Sequence, residues 1–222
     1  MTELTTTTIS GLHDFVLEQV IAPLARPGAR ALDLGAGSGL WGMRLKSLGF
    51  DVVCADKNPS AFHAGLPFIQ ADFDAGDFSA SIGGGPFALV TAIEVIEHVE
   101  SPIGFLRNMG RLLARDGVAV LTTPNVDNVP ARVKFLLTEK IRMMDEHSEV
   151  THISPIFWDL FNRQFLPRAG LKLAGHQLFP SRGYNVTRAR YSWAMRALGS
   201  VLRGECRDGD NHVLILRRSL PQ

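Results

Sequence analysis

Cysteine is scarce in this chain of 222 residues: there are two, Cys54 and Cys206, neither in a C-x-x-C pair nor set among histidines at zinc-finger spacing. That excludes a disulfide scaffold and a local zinc motif, and both are expected to be reduced thiols. Long apolar runs are missing as well, none approaching the roughly 20 residues a membrane-spanning helix needs. Residues 1–10 are rich in threonine and carry no basic start and no apolar stretch, unlike a secretory signal, so a cytoplasmic protein is expected. An excess of either charge is absent: 23 Lys and Arg stand against 22 Asp and Glu, a formal net charge of +1. Nucleic acid is therefore not an expected partner on composition. What remains is an ordinary globular composition, 45% hydrophobic and 20% charged, long enough for one α/β domain over residues 1–222 with its own core.

Short apolar runs alternate with helical patterns along the chain. Leu12, Phe15, Val16, Val20 and Ile21 recur at helical steps, with Ser10 as a candidate cap and Pro23 and Pro27 as stops, which predicts a flanking helix within residues 10–27. Strands are expected at Ala29 to Leu34, Asp51 to Ala55, Pro67 to Ala71, Phe87 to Val95, Val118 to Thr123, Leu171 to Phe179 and His212 to Arg217. Helices are expected at Leu40 to Leu48 and Ile103 to Leu113, the latter opened by Ser101-Pro102, and again from Ser154-Pro155 to about Arg168. Gly76 to Pro86 reads as a loop and Ala114 to Gly117 as a turn. The alternation predicts a doubly wound, seven-stranded, mostly parallel sheet with helices on both faces. Two segments exceed what such a sheet needs: residues 126–150, with some helix around Ala131 to Thr138, and residues 182–210. From Arg182 onward there are eight arginines and three acids, a local charge of +5. This is a candidate for an anionic or peripheral membrane surface, although a solvated face is the commoner meaning.

The first strand ends in Asp33-Leu34-Gly35-Ala36-Gly37-Ser38-Gly39. Glycines between a parallel strand and a helix let a ligand approach bare backbone and reach the helix N-terminal amides. A dinucleotide fingerprint would be G-x-G-x-x-G, whereas Leu40 occupies the place of its third glycine, and no Lys-Ser or Lys-Thr follows to make a P-loop. Asp56 ends the second strand, where a carboxylate can accept from ribose hydroxyls. Asp72 ends the third, where it can accept from an adenine amino group with Phe73 packing on the ring.

This order, Ala31-Leu32-Asp33-Leu34-Gly35-Ala36-Gly37-Ser38-Gly39, then Asp56, then Ala71-Asp72, resembles the class I S-adenosylmethionine-dependent methyltransferases, with their Rossmann-like fold. The resemblance covers roughly residues 30–125. It implies S-adenosylmethionine as cofactor and S-adenosylhomocysteine as product. It also implies that Asp33, Gly35, Ala36, Gly37 and Gly39 hold the methionine end, with Asp56 and Lys57 at the ribose, Asp72 and Phe73 at the adenine, and Glu94 near the ammonium. Lys57 departs from the apolar residue often found after the ribose acid.

Ile93-Glu94-Val95-Ile96-Glu97-His98-Val99 follows the fourth strand, at the edge where ligands of such sheets bind. Two carboxylates and an imidazole in five residues suit a hard divalent ion such as Mg, with Glu94, Glu97 and His98 as ligands; alternatively, His98 serves as a general base without metal. A structural reading stands beside both, with Glu97 capping the next helix and His98 bonded to backbone. The turn is similar to that of the ubiquinone-biosynthesis O-methyltransferases and of the small-RNA 2′-O-methyltransferases. The latter add a histidine after a Thr-Pro-Asn strand end; here Thr123-Pro124-Asn125 and, later, His152 are present without the rest of the RNA enzymes' signature. His152 is the second candidate catalytic residue, ahead of His147. The expected function is O-methylation of a small-molecule or glycan-like acceptor seated between the two insertions. An RNA 2′-O-methyltransferase and a non-catalytic S-adenosylmethionine-binding protein remain as rivals, and the oligomeric state is left open.

Overall fold

The computed structural model describes residues 8–145, 150–187, 189–202 and 204–219. His147, Arg188 and Arg203 lie outside the described residues. The strands are β1 (Arg30–Leu34), β2 (Asp51–Asp56), β3 (Phe68–Gln70), β4 (Phe87–Ile93), β5 (Leu113–Pro124), β6 (Leu171–Phe179) and β7 (Asn211–Arg218). They form one seven-stranded sheet in the order β3-β2-β1-β4-β5-β7-β6. β1 to β5 run parallel, and β7 enters antiparallel between β5 and β6. The doubly wound, mostly parallel arrangement expected from the alternating pattern is the one observed.

Because side chains alternate across a strand, β1 sends Leu32 and Leu34 to one face and Ala31 to the other. On the second face lie α1 (Leu12–Val16), prolonged by wide turns at Leu17–Ile21 and a tight one at Ala22–Leu24, and α2 (Leu40–Ser47). On the first lie α3 (Phe78–Ile82), α4 (Pro102–Leu112), α6 (Trp158–Leu160) and α7 (Leu166–Ala169). Phe105 of α4 is fully buried, and its ring meets Phe73 and Phe78 at centroid distances of 5.6 Å each. The insertions contribute α5 (Val129–Thr138) and α8 (Ala189–Val201).

Several local expectations were wrong, each for an identifiable reason. Ser10 does not cap α1; Gly11 stands at the cap position and no side chain bonds there. Residues 76–86 are not all loop, since Asp77 accepts the Ala80 amide and starts α3 before the glycines end it. Residues 114–117 belong to β5, which begins early at Leu113 opposite Phe87 and passes an irregularity before Val118. Ser154-Pro155 does not open a helix. The Ser154 amide donates to the Glu97 carbonyl and its hydroxyl to the Val99 carbonyl, which keeps the segment extended. The helix starts instead at Trp158, whose amide donates to Asp127 Oδ2 at 2.6 Å.

The basic C-terminal charge is not one patch. β7 starts with Asn211 opposite Pro124 at the carboxyl edge of the parallel strands and carries Arg217 and Arg218 to the opposite edge, beside Lys172 and Leu171. Truncating Phe105 to alanine removes the packing that joins α3 and α4 to the sheet, and should cost about 3–5 kcal/mol in urea unfolding with little change in m.

Candidate active site

Glycine at positions 35, 37 and 39 is required by backbone shape, with φ of 77°, 50° and 89°. A Cβ on Gly35 would stand 2.4 Å from Val95 Cγ2, and one on Gly39 would stand 2.3 Å from the Ala64 Cβ. A Cβ on Gly37 would meet nothing within 4 Å, so this is where the loop faces open space. The loop hangs on β2: the amides of Gly35 and Ala36 donate to the Ala55 carbonyl, and the Gly37 amide donates to Asp56 Oδ2 at 2.9 Å. Asp56 also accepts from the Asn58 amide, which fixes its carboxylate while leaving lone pairs to spare.

Asp33 is 2% exposed and faces α2. Thr91 on β4 donates to its Oδ1 at 3.1 Å and itself receives the indole N–H of Trp41. Oδ2 is buried without a partner, and burial raises the Asp33 pKa to about 7. Asp72 is exposed at its turn and accepts the Asp74 amide. Phe73 is half-buried, with its ring already packed on Phe78 and Phe105, so it supports the Asp72 turn from the core side. Lys57 is exposed, and its carbonyl accepts from Gln70.

Glu94 sits just past β4 with φ of 56°, a left-handed conformation uncommon for a side-chain-bearing residue. Its Oε1 accepts from the Thr122 hydroxyl of β5 at 2.9 Å and from the Asn211 amide of β7 at 2.7 Å. Burial lifts its pKa to about 7, and the neighbouring Glu97, wholly buried, is raised further by burial and by the Glu94 charge. Both Glu97 oxygens lack hydrogen-bond partners. Of the three expected ion ligands, Glu97 and His98 come together, and the third member of the cluster is His152. One ligand-capable atom from each of Glu97, His98 and His152 lies within 4.8 Å of the others. Glu94 is not part of that cluster; its carboxylate is held by Thr122 and Asn211. His98 and His152 meet edge-on at 4.6 Å, with Nδ1 of each directed at a backbone carbonyl, of Thr151 and Met143 respectively.

A cavity of about 700 Å³ is lined by Gly35, Glu94, His98, His152, Lys134 and Arg142 among others. Its far wall was not foreseen from sequence. Arg142 of the first insertion forms a buried ion pair with Asp210 at 2.9 Å, and Asp210 also accepts the amides of Asn185 and Val186 from the second. Lys134 pairs with Asp145. No residue type or spacing announces these contacts, and that of Arg142 with Asp210 joins residues nearly seventy apart in sequence. A general signal did exist, because charged residues that a fold buries are nearly always paired.

Sheet order, glycine turn and the acids at successive strand ends define a Rossmann-like methyltransferase architecture. A family model described as a methyltransferase domain matches residues 9–175, and the chain belongs to that family. Among curated relatives, the ubiquinone biosynthesis O-methyltransferase of Caulobacter sp. (strain K31) is 32% identical over 126 residues, 50% of each chain. That of Cereibacter sphaeroides (strain ATCC 17025 / ATH 2.4.3) is 35% identical over 128 residues, 50% of this chain and 51% of the other. The chain thus spans about half the length of the curated relatives it matches. Of solved structures, a SAM dependent methyltransferase from Archaeoglobus fulgidus superposes with a TM-score of 0.60 at 14% identity, covering 93% of this chain and 94% of that one. Magnesium protoporphyrin IX methyltransferase from Synechocystis PCC 6803, with bound SAH, gives 0.55 at 17% identity over 93% and 82%. These two likenesses concern the fold. Among the described residues no helix is long and apolar enough to cross a membrane.

The buried acid Asp33 has a consequence for pH. Its folded pKa is raised above the unfolded value of 3.8 to about 7, so its contribution to stability is full below pH 4 and is lost as pH rises through 7. Asp33→Asn should therefore gain melting temperature relative to the ligand-free parent as pH goes from about 5 to about 8. Parallel Tm–pH curves for the two proteins would contradict this.

Proposed function

We propose that the protein transfers a methyl group from S-adenosylmethionine to a hydroxyl oxygen of a small-molecule acceptor, releasing S-adenosylhomocysteine. The observation that carries this reading is that Gly35 of the glycine turn and the His98–His152 pair line one and the same cavity. Asp33 and the turn at Gly35, Ala36, Gly37 and Gly39 would hold the methionine portion, with Glu94 facing its ammonium. Asp56 and Lys57 lie at the ribose, Asp72 and Phe73 at the adenine edge. The relatives' name as O-methyltransferases favours oxygen as the nucleophile.

The cofactor supplies a methyl group already activated on a sulfonium, so the protein's tasks are positioning and proton removal. His152 approaches from the insertion side and contacts the acceptor. With its Nδ1 proton given to the Thr151 carbonyl, His98 keeps Nε2 as the basic nitrogen and takes the acceptor's hydroxyl proton as oxygen bonds to the methyl carbon. The electron pair of the broken carbon–sulfur bond stays on sulfur.

Glu97, His98 and His152 also fit a divalent ion. The two partnerless Glu97 oxygens and the Nδ1-to-carbonyl bonds of both histidines are the orientation that metal-ligating imidazoles adopt. An ion held there would lower the pKa of the acceptor hydroxyl.

Calorimetry with S-adenosylhomocysteine should give one site per chain, and Asp56→Ala should weaken it about tenfold or more by removing two charge-assisted acceptors. Absence of binding to the parent protein overturns the reading. With radiolabelled cofactor and a panel of phenolic and sugar acceptors, methyl transfer is expected onto at least one. His98→Ala should lower kcat by about 10²–10⁴-fold while leaving S-adenosylhomocysteine affinity nearly unchanged.

A further inference from the structure

Away from the cavity, the edge strands bring together three side chains that no local sequence pattern joins. On the sheet face that packs α6 and α7, His212 pairs with Leu178 and His176 with Leu214, which makes the two histidines diagonal neighbours on one side of an antiparallel pair. Nε2 of His176 and Nδ1 of His212 are 3.0 Å apart. Cys206, in the turn that leads back into β7, is 2% exposed. One ligand-capable atom from each of His176, Cys206 and His212 lies within 4.8 Å of the other two. The indole of Trp158 covers the group, with ring centroids 3.8 Å from His176 and 5.5 Å from His212, and donates to Glu205 Oε2 at 3.1 Å.

A neutral imidazole pair, one ring donating to the other, accounts for the 3.0 Å contact. It leaves Nε2 of His212 buried with no partner on a residue that is 1% exposed, and it gives no reason for a buried sulfur beside two imidazoles. We propose that His176, Cys206 and His212 bind a borderline-soft transition metal ion, zinc in the first instance. Two imidazole nitrogens and a thiolate are a zinc donor set, whereas magnesium and calcium take oxygen. Tetrahedral bonds of about 2.0–2.3 Å place neighbouring ligand atoms roughly 3.3–3.8 Å apart, so the cluster needs side-chain adjustments of about an ångström. The Glu205 carboxylate, which accepts from Trp158 Nε1, is the nearby acid for a fourth position.

Binding releases the thiol proton and leaves the sulfur as thiolate on the metal. Its effect is structural. It fastens the end of the second insertion to β6 and β7, at the turn whose Cys206, Asp208 and Gly209 carbonyls already receive the Asn125 amide. The group shares no residue with Glu97, His98 and His152, so the two can be told apart spectroscopically.

Chelator-treated full-length protein titrated with cobalt(II) should develop a near-ultraviolet thiolate-to-cobalt charge-transfer band that saturates at one equivalent. Zinc should displace it and raise Tm. The band should vanish in Cys206→Ser and persist in His152→Asn; the other cysteine, Cys54, lies beneath Gly42 of α2. Should Cys206→Ser fail to fold, His176→Asn, at a half-buried position, should keep the circular dichroism of the parent and bind cobalt at least about tenfold more weakly. No thiolate band at saturating cobalt in the parent overturns the proposal in favour of a hydrogen-bonded histidine pair only. So does a band that survives Cys206→Ser.

Discussion

The site depends on how buried carboxylates are held at the carboxyl edge of a parallel sheet. Asp33, Glu94 and Glu97 all lie in an apolar frame, where an ionised carboxylate loses most of its hydration. Each meets that cost differently. Asp33 has one hydroxyl donor, Glu94 has Thr122 and Asn211, and Glu97 has no hydrogen-bonded partner for either oxygen. The Glu94 bonds do more than orient one side chain. They cross-link the ends of β4, β5 and β7, so the antiparallel strand is registered to the parallel ones at the point where the cavity begins. A positive charge beside these carboxylates, from an ammonium, a sulfonium or a metal ion, would favour their ionised forms.

The two insertions obey the same constraint. Arg142 and Asp210 are both almost fully buried, and an ion pair in that position is costly to form and costlier to break from one side. What it provides is definition: the first insertion docks where Asp210 can meet it, and Asp210 in turn fixes the backbone of Asn185 and Val186. Where the two insertions meet, one charge pair and two amides therefore hold the cavity wall.

How much of this was legible in the sequence follows from the range of each interaction. The glycine turn was readable because local backbone geometry imposes it: a left-handed residue beside Val95 or Ala64 has to be glycine. The doubly wound, mostly parallel sheet followed from the alternation of apolar runs. Unreadable were contacts that a chain makes only after folding. Asn211 reaches Glu94 across 117 positions, Asn125 reaches Cys206 across 81, and His176 meets His212 across 36. The Glu-x-x-Glu-His turn occupies a middle ground. Its spacing announced a cluster, in which Glu97 and His98 come together with His152 while the Glu94 carboxylate is held by Thr122 and Asn211. Ser154 shows the reverse failure, since a good local capping signal was overridden by two bonds to the Glu97 and Val99 carbonyls.

Acceptor size can be argued from the cavity and its charges. About 700 Å³ falls in the range of small-ligand pockets. Of the cations that line it, Lys134 is matched by Asp145 and Arg142 by Asp210. A polyanion needs a row of cations whose counterions it can release, and these two are already committed within the protein. Arg217 and Arg218 of the basic C-terminal segment stand at the far edge of the sheet. An acceptor that brings one hydroxyl and little charge suits the described cavity better than a nucleic acid strand does. Its hydroxyl would then enter beside His98 and His152.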